Sequence, residues 1–145
     1  MLPKHILLDA DVFISYLTHD SLFEHSVKVI EHIVTGTIVA YVSSEIYDNI
    51  VSMLRSNCVP LSKVVEFVNA VSKIPHKPLL LNPEITVQAL KYYIEHGGPR
   101  KLHYFDSYHV AIAKYYNLPL LTGDKYIINH SDKLRIQVIN LKTIK

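Results

Sequence analysis

Four carboxylates stand where an apolar run of the sequence ends, and these are the residues best suited to chemistry. They are Asp9 after residues 6–8, Glu45 after residues 38–44, Asp106 after residues 104–105, and Asp124 after residues 120–123. A carboxylate beside a hydrophobic core loses hydration, so such a group is usually paired, protonated or bound to a cation. Several carboxylates together without a basic partner predict one acidic site that binds a hard metal ion.

The segments between these acids predict an α/β fold, because short apolar runs alternate with helical repeats. Strands are predicted at residues 6–8, 37–42, 79–81, 119–121 and 135–141, and helices are predicted to begin near Asp11, Ser21, Ser43 or Ser44, Leu61, Pro83 and Tyr104. Strands that alternate with helices favour a parallel sheet with both faces covered. We therefore expect one domain over residues 1–145, a three-layer α/β/α sandwich with a central, mostly parallel sheet.

This fold would bring the four acids together. In open α/β sheets the ligand site lies beyond the carboxyl ends of the strands, and Asp9, Glu45 and Asp124 all follow such ends. Asp106 shares a helical face with Val110 and Ala113, which predicts that its carboxylate points inward and borders a crevice.

Three of the four acids also have a local explanation, whereas Asp106 is harder to explain in this way. Asp9 could cap the helix that follows it, Glu45 suits a first helical turn, and Asp124 could belong to a turn with Gly123. These explanations hold for single residues but fit poorly for four acids that one fold would gather. His109, one helical turn after Asp106, could contact a metal ion or the substrate, or could simply pack in the core.

Composition excludes several classes of protein. The chain has 145 residues, of which 49% are hydrophobic and 19% charged, which is typical of a globular domain. Cys58 is the only cysteine, so no internal disulfide is possible, and we expect a reducing, cytoplasmic location. No uncharged run approaches the roughly 18 residues that a membrane span needs, and no secretion signal is evident. The phosphate-binding loop and the nucleophile elbow of serine hydrolases are absent as well.

Charge is distributed unevenly along the chain. Residues 1–99 carry 7 basic and 10 acidic side chains, whereas residues 100–145 carry 8 basic and 3 acidic ones. Two of those three acids are Asp106 and Asp124, so the segment that delivers them is otherwise basic. A basic surface around an acidic site is typical of a protein that binds a polyanion.

The order of the acids and the strings around them resemble the PIN domain family. Three strings are similar to family motifs: Leu8-Asp9-Ala10-Asp11-Val12-Phe13-Ile14, Asp106-Ser107-Tyr108-His109-Val110-Ala111-Ile112-Ala113, and Leu121-Thr122-Gly123-Asp124. The match covers nearly the whole chain. Family members often carry a hydroxyl residue in place of Ala10 and Asn or Ser in place of Asp11, so Asp11 is either an outer carboxylate or a helix cap.

The resemblance implies a metal-dependent endoribonuclease like the small VapC-type toxins. In that interpretation Asp9, Asp106 and Asp124 bind Mg²⁺ or Mn²⁺, and Glu45 is a further ligand or orients the attacking water. Asp11 and Thr122 would support the metal ligands. The substrate, RNA, would be drawn in by Arg100, Lys101 and Lys125. An antitoxin protein and a homodimer are the partners that the resemblance implies, and the helix with Val64 to Val71 offers either a dimer surface or core.

Two alternatives remain open at this point. A PIN-like module could bind RNA or a protein without cleaving anything. Alternatively, Asp9-Ala10-Asp11 after a strand is similar to the nucleophile motif of haloacid-dehalogenase-type phosphatases, although that similarity covers one motif only.

Overall fold

Five short strands form one sheet in which every neighbouring pair is parallel. The computed structural model describes residues 2–145, with strands β1 (His5–Leu8), β2 (Val39–Ser43), β3 (Lys77–Leu79), β4 (Leu120–Thr122) and β5 (Val138–Asn140). Their order across the sheet is β3-β2-β1-β4-β5. The strand that leads to Asp9 is therefore the central one, and the strand that leads to Asp124 lies beside it.

Helices cover both faces of this sheet. They are α1 (Ala10–Thr18), α2 (Phe23–Val34), α3 (Ile46–Ser56), α4 (Leu61–Ser72), α5 (Pro83–His96), α6 (Tyr104–Tyr116), α7 (Lys125–Asn129) and α8 (Ser131–Leu134), followed by a 3₁₀ turn at Leu141–Thr143. Ile6 and Leu8 join the apolar cluster of α1 to α4, whereas Leu7 joins the cluster of α5 and α6. Side chains alternate between the two faces of a strand, so the predicted three-layer α/β/α class is confirmed.

The burial of β1 explains why its sequence is apolar without alternation. Ile6, Leu7 and Leu8 are all fully buried, because helices cover both faces of the sheet. The chain leaves this buried strand at its carboxyl end, directly into Asp9 and α1. A charged side chain is thereby placed at the centre of the sheet edge.

Pro78 lies in β3 at the edge of the sheet, where a residue without a backbone N–H is tolerated. The predicted range, 79–81, is wrong by two residues. Ser43 pairs with Leu79, and Ser44 N–H donates to the carbonyl of Leu79, so the ladder ends there. Leu80 then turns outward and is 73% exposed.

Two predicted helix starts are also wrong. The capping box of Ser21 and Glu24 does not form: α2 begins at Phe23, and the carboxylate of Asp20 instead accepts a hydrogen bond from Leu22 N–H at 2.9 Å. Neither Ser43 nor Ser44 caps α3, which begins at Ile46 after Glu45. The hydroxyl of Ser43 accepts from Glu45 N–H, and Ser43 lies two positions before Glu45, which is the residue in the capping position.

The ends of several strands differ from the prediction as well. β2 begins at Val39 rather than at residue 37, because Ile38 N–H still donates to the carbonyl of His32 at the end of α2. β4 extends to Thr122, and β5 is confined to Val138–Asn140 within the predicted 135–141. No helix within residues 2–145 is both long and apolar enough to cross a membrane.

Candidate metal centre

Four aspartates meet in a cavity at the carboxyl edge of the sheet. Asp9 follows β1, Asp11 lies in the first turn of α1, Asp106 lies in the first turn of α6, and Asp124 follows β4. All four line one cavity of about 360 Å³. Central strands and the amino-terminal ends of three helices thus bring together residues more than a hundred positions apart, as the topology predicted.

Asp9 is held by two hydrogen bonds and is only 4% exposed. Its Oδ1 accepts from the N–H of Ala10 at 2.7 Å, so it does cap α1. Its Oδ2 accepts from the hydroxyl of Thr122 at 2.6 Å. The sequence offered Asp9 either as a helix cap or as a member of the acidic site. The two roles are compatible, because the same carboxylate caps α1 and faces the cavity.

Thr122 connects two of the acids. Besides donating to Asp9, its Oγ1 accepts from Asp124 N–H at 3.0 Å, and the carboxylate of Asp124 in turn caps α7 by accepting from Ile127 N–H. Asp11 Oδ2 lies 3.4 Å from the same hydroxyl. A hydroxyl has one proton to donate, and the much shorter contact to Asp9 takes it.

Asp11 contributes a carboxylate that is only half satisfied. Its Oδ2 accepts from Gly123 N–H at 2.6 Å, so it ties α1 to the turn after β4. Its Oδ1 is enclosed and has no hydrogen-bond partner within residues 2–145. An enclosed carboxylate oxygen without a donor is costly unless a cation or a proton compensates it.

Asp106 is the residue that the possible ligand sets share. Its carboxylate lies with that of Asp9 and the ring of His109 in one group, and with His103 and Asp124 in another, each with its ligand atoms within 4.8 Å of one another. His103 Nδ1 is 3.3 Å from Asp106 Oδ2. His103 is not among the residues predicted from the sequence, although its position three residues before Asp106 at a helix start is a usable signal.

Burial and mutual repulsion make three of these carboxylates, those of Asp9, Asp11 and Asp124, hard to ionise. Loss of solvent, together with the charges of Asp11 and Asp106, raises the pKa of Asp9 well above its usual value. Burial, with the charge of Asp106 in addition, raises the pKa of Asp11 to about 7 and also raises that of Asp124. Within residues 2–145 no lysine or arginine forms an ion pair with any of the four aspartates. An oxygen-rich donor set with no lysine or arginine partner and one histidine beside Asp106 fits a divalent cation.

His109 is buried and neutral. Desolvation lowers its pKa to about 4, despite the charge of Asp106 nearby. Its Nε2 lies 2.9 Å from Asn49 Oδ1 and 3.9 Å from Asp9 Oδ1. With two oxygens on that side, Nε2 carries the proton and donates to Asn49, so this nitrogen has no lone pair for a metal ion. Of the two roles that the sequence left open for His109, the structure therefore favours a packed residue that positions its neighbours over a metal ligand.

Glu45 is placed differently from the aspartates. It is half-buried just before α3, and it is not among the residues within 2–145 that line the cavity. Its charge acts instead on Tyr108, whose pKa is raised to about 12, chiefly by a hydrogen bond with Tyr104. The fold does not bring this acid into the aspartate cluster.

The predicted substrate-binding cations are exposed, and none of them is among the described residues that line the cavity. Arg100 and Lys101 are exposed in the loop between α5 and α6, and Lys125 is exposed at the start of α7, next to Asp124. A larger cavity of about 590 Å³ lies between α5 and α6, and Glu84 is its only carboxylate among the described residues. Size alone would favour that cavity, but the converging titratable groups lie in the smaller one.

Several solved structures have this fold. VapBC2 from Rickettsia felis, bound to a DNA fragment from its promoter, has a TM-score of 0.66 at 10% identity, covering 94% of this chain and 98% of that one. FitAcB from Neisseria gonorrhoeae has a TM-score of 0.59 at 22% identity, covering 96% and 99%. Mycobacterium tuberculosis VapC20, a sarcin-ricin loop cleaving toxin, has a TM-score of 0.60 at 11% identity, covering 79% and 86%.

No curated protein matches the sequence. The family model of the PIN domain matches residues 6–133, a range that contains all four aspartates. Together with the parallel sheet and the acidic cavity at its carboxyl edge, this match means that the chain belongs to the PIN domain family, whose members are typically nucleases.

Proposed function

We propose that the protein is a divalent-metal-dependent endoribonuclease that hydrolyses phosphodiester bonds in RNA, and that it is the toxin of a toxin–antitoxin pair. One observation carries this proposal. Four aspartates from distant parts of the chain converge in one cavity, no lysine or arginine within residues 2–145 pairs with them, and Asp11 Oδ1 is enclosed without a partner.

The donor set favours Mg²⁺ or Mn²⁺, held by Asp9, Asp106 and Asp124 with Asp11 beside them. Both ions prefer oxygen ligands, and a small number of carboxylates is enough because the ion keeps part of its water shell. When bound, such an ion supplies Lewis acidity and neutralises negative charge on a phosphodiester.

Other residues of the chain orient the proposed metal ligands. Thr122 fixes one oxygen of Asp9, and Gly123 fixes one oxygen of Asp11. The amino-terminal end of α6 favours the negative charge of Asp106. Glu45 does not line the cavity, so the proposal gives it no place among the metal ligands and keeps only the role of orienting the attacking water from outside the aspartate cluster. The rate of RNA cleavage by Glu45→Gln tests that role.

Solved structures with this fold support RNA as the substrate and an antitoxin as the partner. VapC20 is described as cleaving the sarcin-ricin loop, which is RNA, and other relatives were solved as toxin–antitoxin complexes. We assign Arg100, Lys101 and Lys125 to the RNA backbone because they are exposed and belong to the basic segment that also carries Asp106 and Asp124. The antitoxin would bind this chain as a separate protein.

A homodimer also belongs to the proposal. Val64 and Val71 of α4 are buried, but Leu61 and Val65 are 59% and 60% exposed on the same helix. An exposed apolar pair on a helix can join a second copy of the chain. Light scattering on the purified protein gives the oligomeric state directly.

The family match bears differently on the two alternatives, the phosphatase and the module that binds without cleaving. The haloacid-dehalogenase alternative rested on the motif Asp9-Ala10-Asp11, and the match to the PIN domain over residues 6–133 argues against it. A PIN domain that binds RNA without cleaving it differs from our proposal only in activity.

A cleavage assay on labelled RNA with Mn²⁺ tests the proposal. We expect wild type to cleave, EDTA to abolish cleavage, and Asp9→Asn and Asp106→Asn each to lower the rate at least about 100-fold. Asp132→Asn, an exposed acid in α8, is the matched control and should cleave like wild type. Cleavage that survives both active-site substitutions contradicts the assignment, and Mn²⁺ binding without any cleavage favours the binding module.

A further inference from the structure

The cavity has a second wall that the metal chemistry does not use. Helix α3 contributes Asn49, Ser52, Met53 and Ser56, whose spacing of three, four and seven residues places them on one helical face. Phe105, the residue before Asp106, lines the same cavity. An amide, an aromatic ring and a thioether therefore lie beside the aspartates.

Asn49 is the unusual member of this wall, because it is polar and only 6% exposed. Its Oδ1 lies 2.9 Å from His109 Nε2, on a ring that is fully buried. The imidazole proton sits on Nε2, since that nitrogen faces Asn49 Oδ1 and lies 3.9 Å from the carboxylate of Asp9. This hydrogen bond decides which way the amide of Asn49 points.

The other end of the amide is left free. Asn49 Nδ2 forms no hydrogen bond within residues 2–145, and it is not among the four enclosed side-chain atoms that lack a partner. Since Asn49 lines the cavity, its amide nitrogen is accessible from there. A nearly buried side chain thus keeps an amide nitrogen that has no acceptor within residues 2–145 and that belongs to a residue lining the cavity.

We propose that Asn49, oriented by His109, donates a hydrogen bond to the base of one unpaired nucleotide of the substrate, and that Phe105 and Met53 contact the faces of that base. The inference rests on the proposed function, and it names the part of the RNA that this wall recognises. A cavity of about 360 Å³ lies at the lower end of the range for small-ligand pockets, roughly 300 to 1,000 Å³.

The chemistry of the wall favours a base over a phosphate. The polar groups that α3 brings to the cavity are the amide of Asn49 and the hydroxyls of Ser52 and Ser56, all of them neutral, so a phosphate at this wall would meet no positive side chain there. Aromatic and apolar side chains provide stacking surfaces for bases that have left a helix. In a duplex both faces of a base are stacked, so the wall selects single-stranded RNA. Because the Asn49 amide nitrogen can only donate, it selects a base edge that offers a carbonyl oxygen or a ring nitrogen.

Fluorescence anisotropy with Ca²⁺, a non-cleaving stand-in ion, tests this inference on three probes. They are a labelled single-stranded RNA decamer of mixed sequence, its duplex, and a decamer with an abasic backbone. Wild type should bind the single strand at least about tenfold more tightly than either other probe. Asn49→Ala and Phe105→Leu should each lower the affinity for the single strand about five- to twentyfold, and should leave the affinity for the other two probes unchanged. Asn69→Ala, an exposed asparagine in α4, is the matched control and should change nothing.

The outcomes separate this inference from the proposed function. If Asn49→Ala weakens binding of the abasic decamer as much as binding of the single strand, the amide contacts the backbone and the inference is wrong. It is also wrong if both variants, folded by circular dichroism, bind the single strand like wild type, even where the protein cleaves RNA. If the protein cleaves nothing but binds the single strand through Asn49, the inference holds and the nuclease proposal fails.

Discussion

At the scale of single residues, the hydroxyl of Thr122 holds the acidic site in place. It donates to Asp9 and accepts from the backbone of Asp124, so one fully buried side chain sets the position of two proposed ligands. Supporting contacts of this kind orient metal ligands, and their loss is typically felt in metal affinity. The place of Thr122 directly after the last apolar residue of a buried strand is what makes this supporting position predictable from the sequence.

Replacing Thr122 with valine keeps the shape of the side chain and removes the hydroxyl. We expect Thr122→Val to weaken Mn²⁺ binding by about 10-fold or more, because Asp9 Oδ2 and Asp124 N–H both lose their partner. Thr122→Ser retains the hydroxyl and should stay close to wild type. Calorimetric titration of Mn²⁺ measures both, and equal affinities for the valine and serine variants would contradict the proposed role.

Asp11 predicts an unusual dependence of stability on pH. Its pKa in the folded protein is raised to about 7 by burial and by the charges of Asp106 and Asp124, against 3.8 as its ordinary value. Between these values the folded state holds a proton that the unfolded state has released, so the free energy of unfolding falls as pH rises through this window.

Asp11→Asn removes that effect and keeps an oxygen that can accept from Gly123 N–H. In EDTA at pH 8 the variant should melt about 3 °C or more above wild type, and at pH 4 the two should melt together. Thermal unfolding followed by circular dichroism measures the difference. A difference that is the same at both pH values would mean that Asp11 does not titrate in this window.

At the scale of elements, the turn between β4 and α7 is the least tolerant part of the site. Gly123 donates its N–H to Asp11, and a Cβ at this position would come within 2.8 Å of a Leu22 side-chain carbon and 3.0 Å of Asp11 Oδ2. Even a methyl group would therefore push the carboxylate away from the backbone that holds it.

Gly123→Ala should lower both the melting temperature and the affinity for Mn²⁺. Gly36 offers a control, because it has a φ of +78° and a Cβ added there would have no other atom within 4 Å. Gly36→Ala should cost about 1 kcal/mol through backbone strain alone and leave Mn²⁺ affinity unchanged. If both variants lose stability and both keep full Mn²⁺ affinity, the turn does not position the site.

The elements themselves differ in how far the sequence reveals them. β1 and α6 are predictable, since a buried apolar run and a regular helical face identify them. α7 and α8 have five and four residues, too few to show a period, and neither is predicted from the sequence. The pair Asn49 and His109 is 60 residues apart and meets only because α3 packs near α6, which no local pattern records.

At the scale of the whole molecule, opposite charges are separated. The aspartates are gathered inside the cavity, while Arg100, Lys101 and Lys125 are exposed and do not line it. This arrangement would attract a polyanion from a distance and bring it to an acidic site that repels it until a cation binds. Affinity for RNA should therefore depend strongly on salt and on the divalent ion.

The combined variant Arg100→Ala, Lys101→Ala and Lys125→Ala should weaken RNA binding and reduce the salt dependence. Each lost phosphate contact lowers the slope of log affinity against log salt by about 0.7 for a single strand, so the slope should fall by about 2. Anisotropy of the single-stranded decamer at several salt concentrations measures it.

A control with the same change in net charge separates this effect from a general one. Lys28, Lys63 and Lys142 are exposed, and the first two pair with Glu31 and Glu66 on their own helices. Their triple alanine variant should change the slope much less. Equal slopes for the two triple variants would mean that Arg100, Lys101 and Lys125 make no specific contribution to RNA binding.

The most direct measurement of the central claim locates the ion itself. Crystals soaked in MnCl₂, with data collected at the manganese absorption edge, should show an anomalous peak about 2.2 Å from carboxylate oxygens of Asp9 and Asp106. The peak should be absent from the Asp9→Asn, Asp106→Asn double variant. A folded wild type with no peak in this cavity at saturating Mn²⁺ would contradict the account.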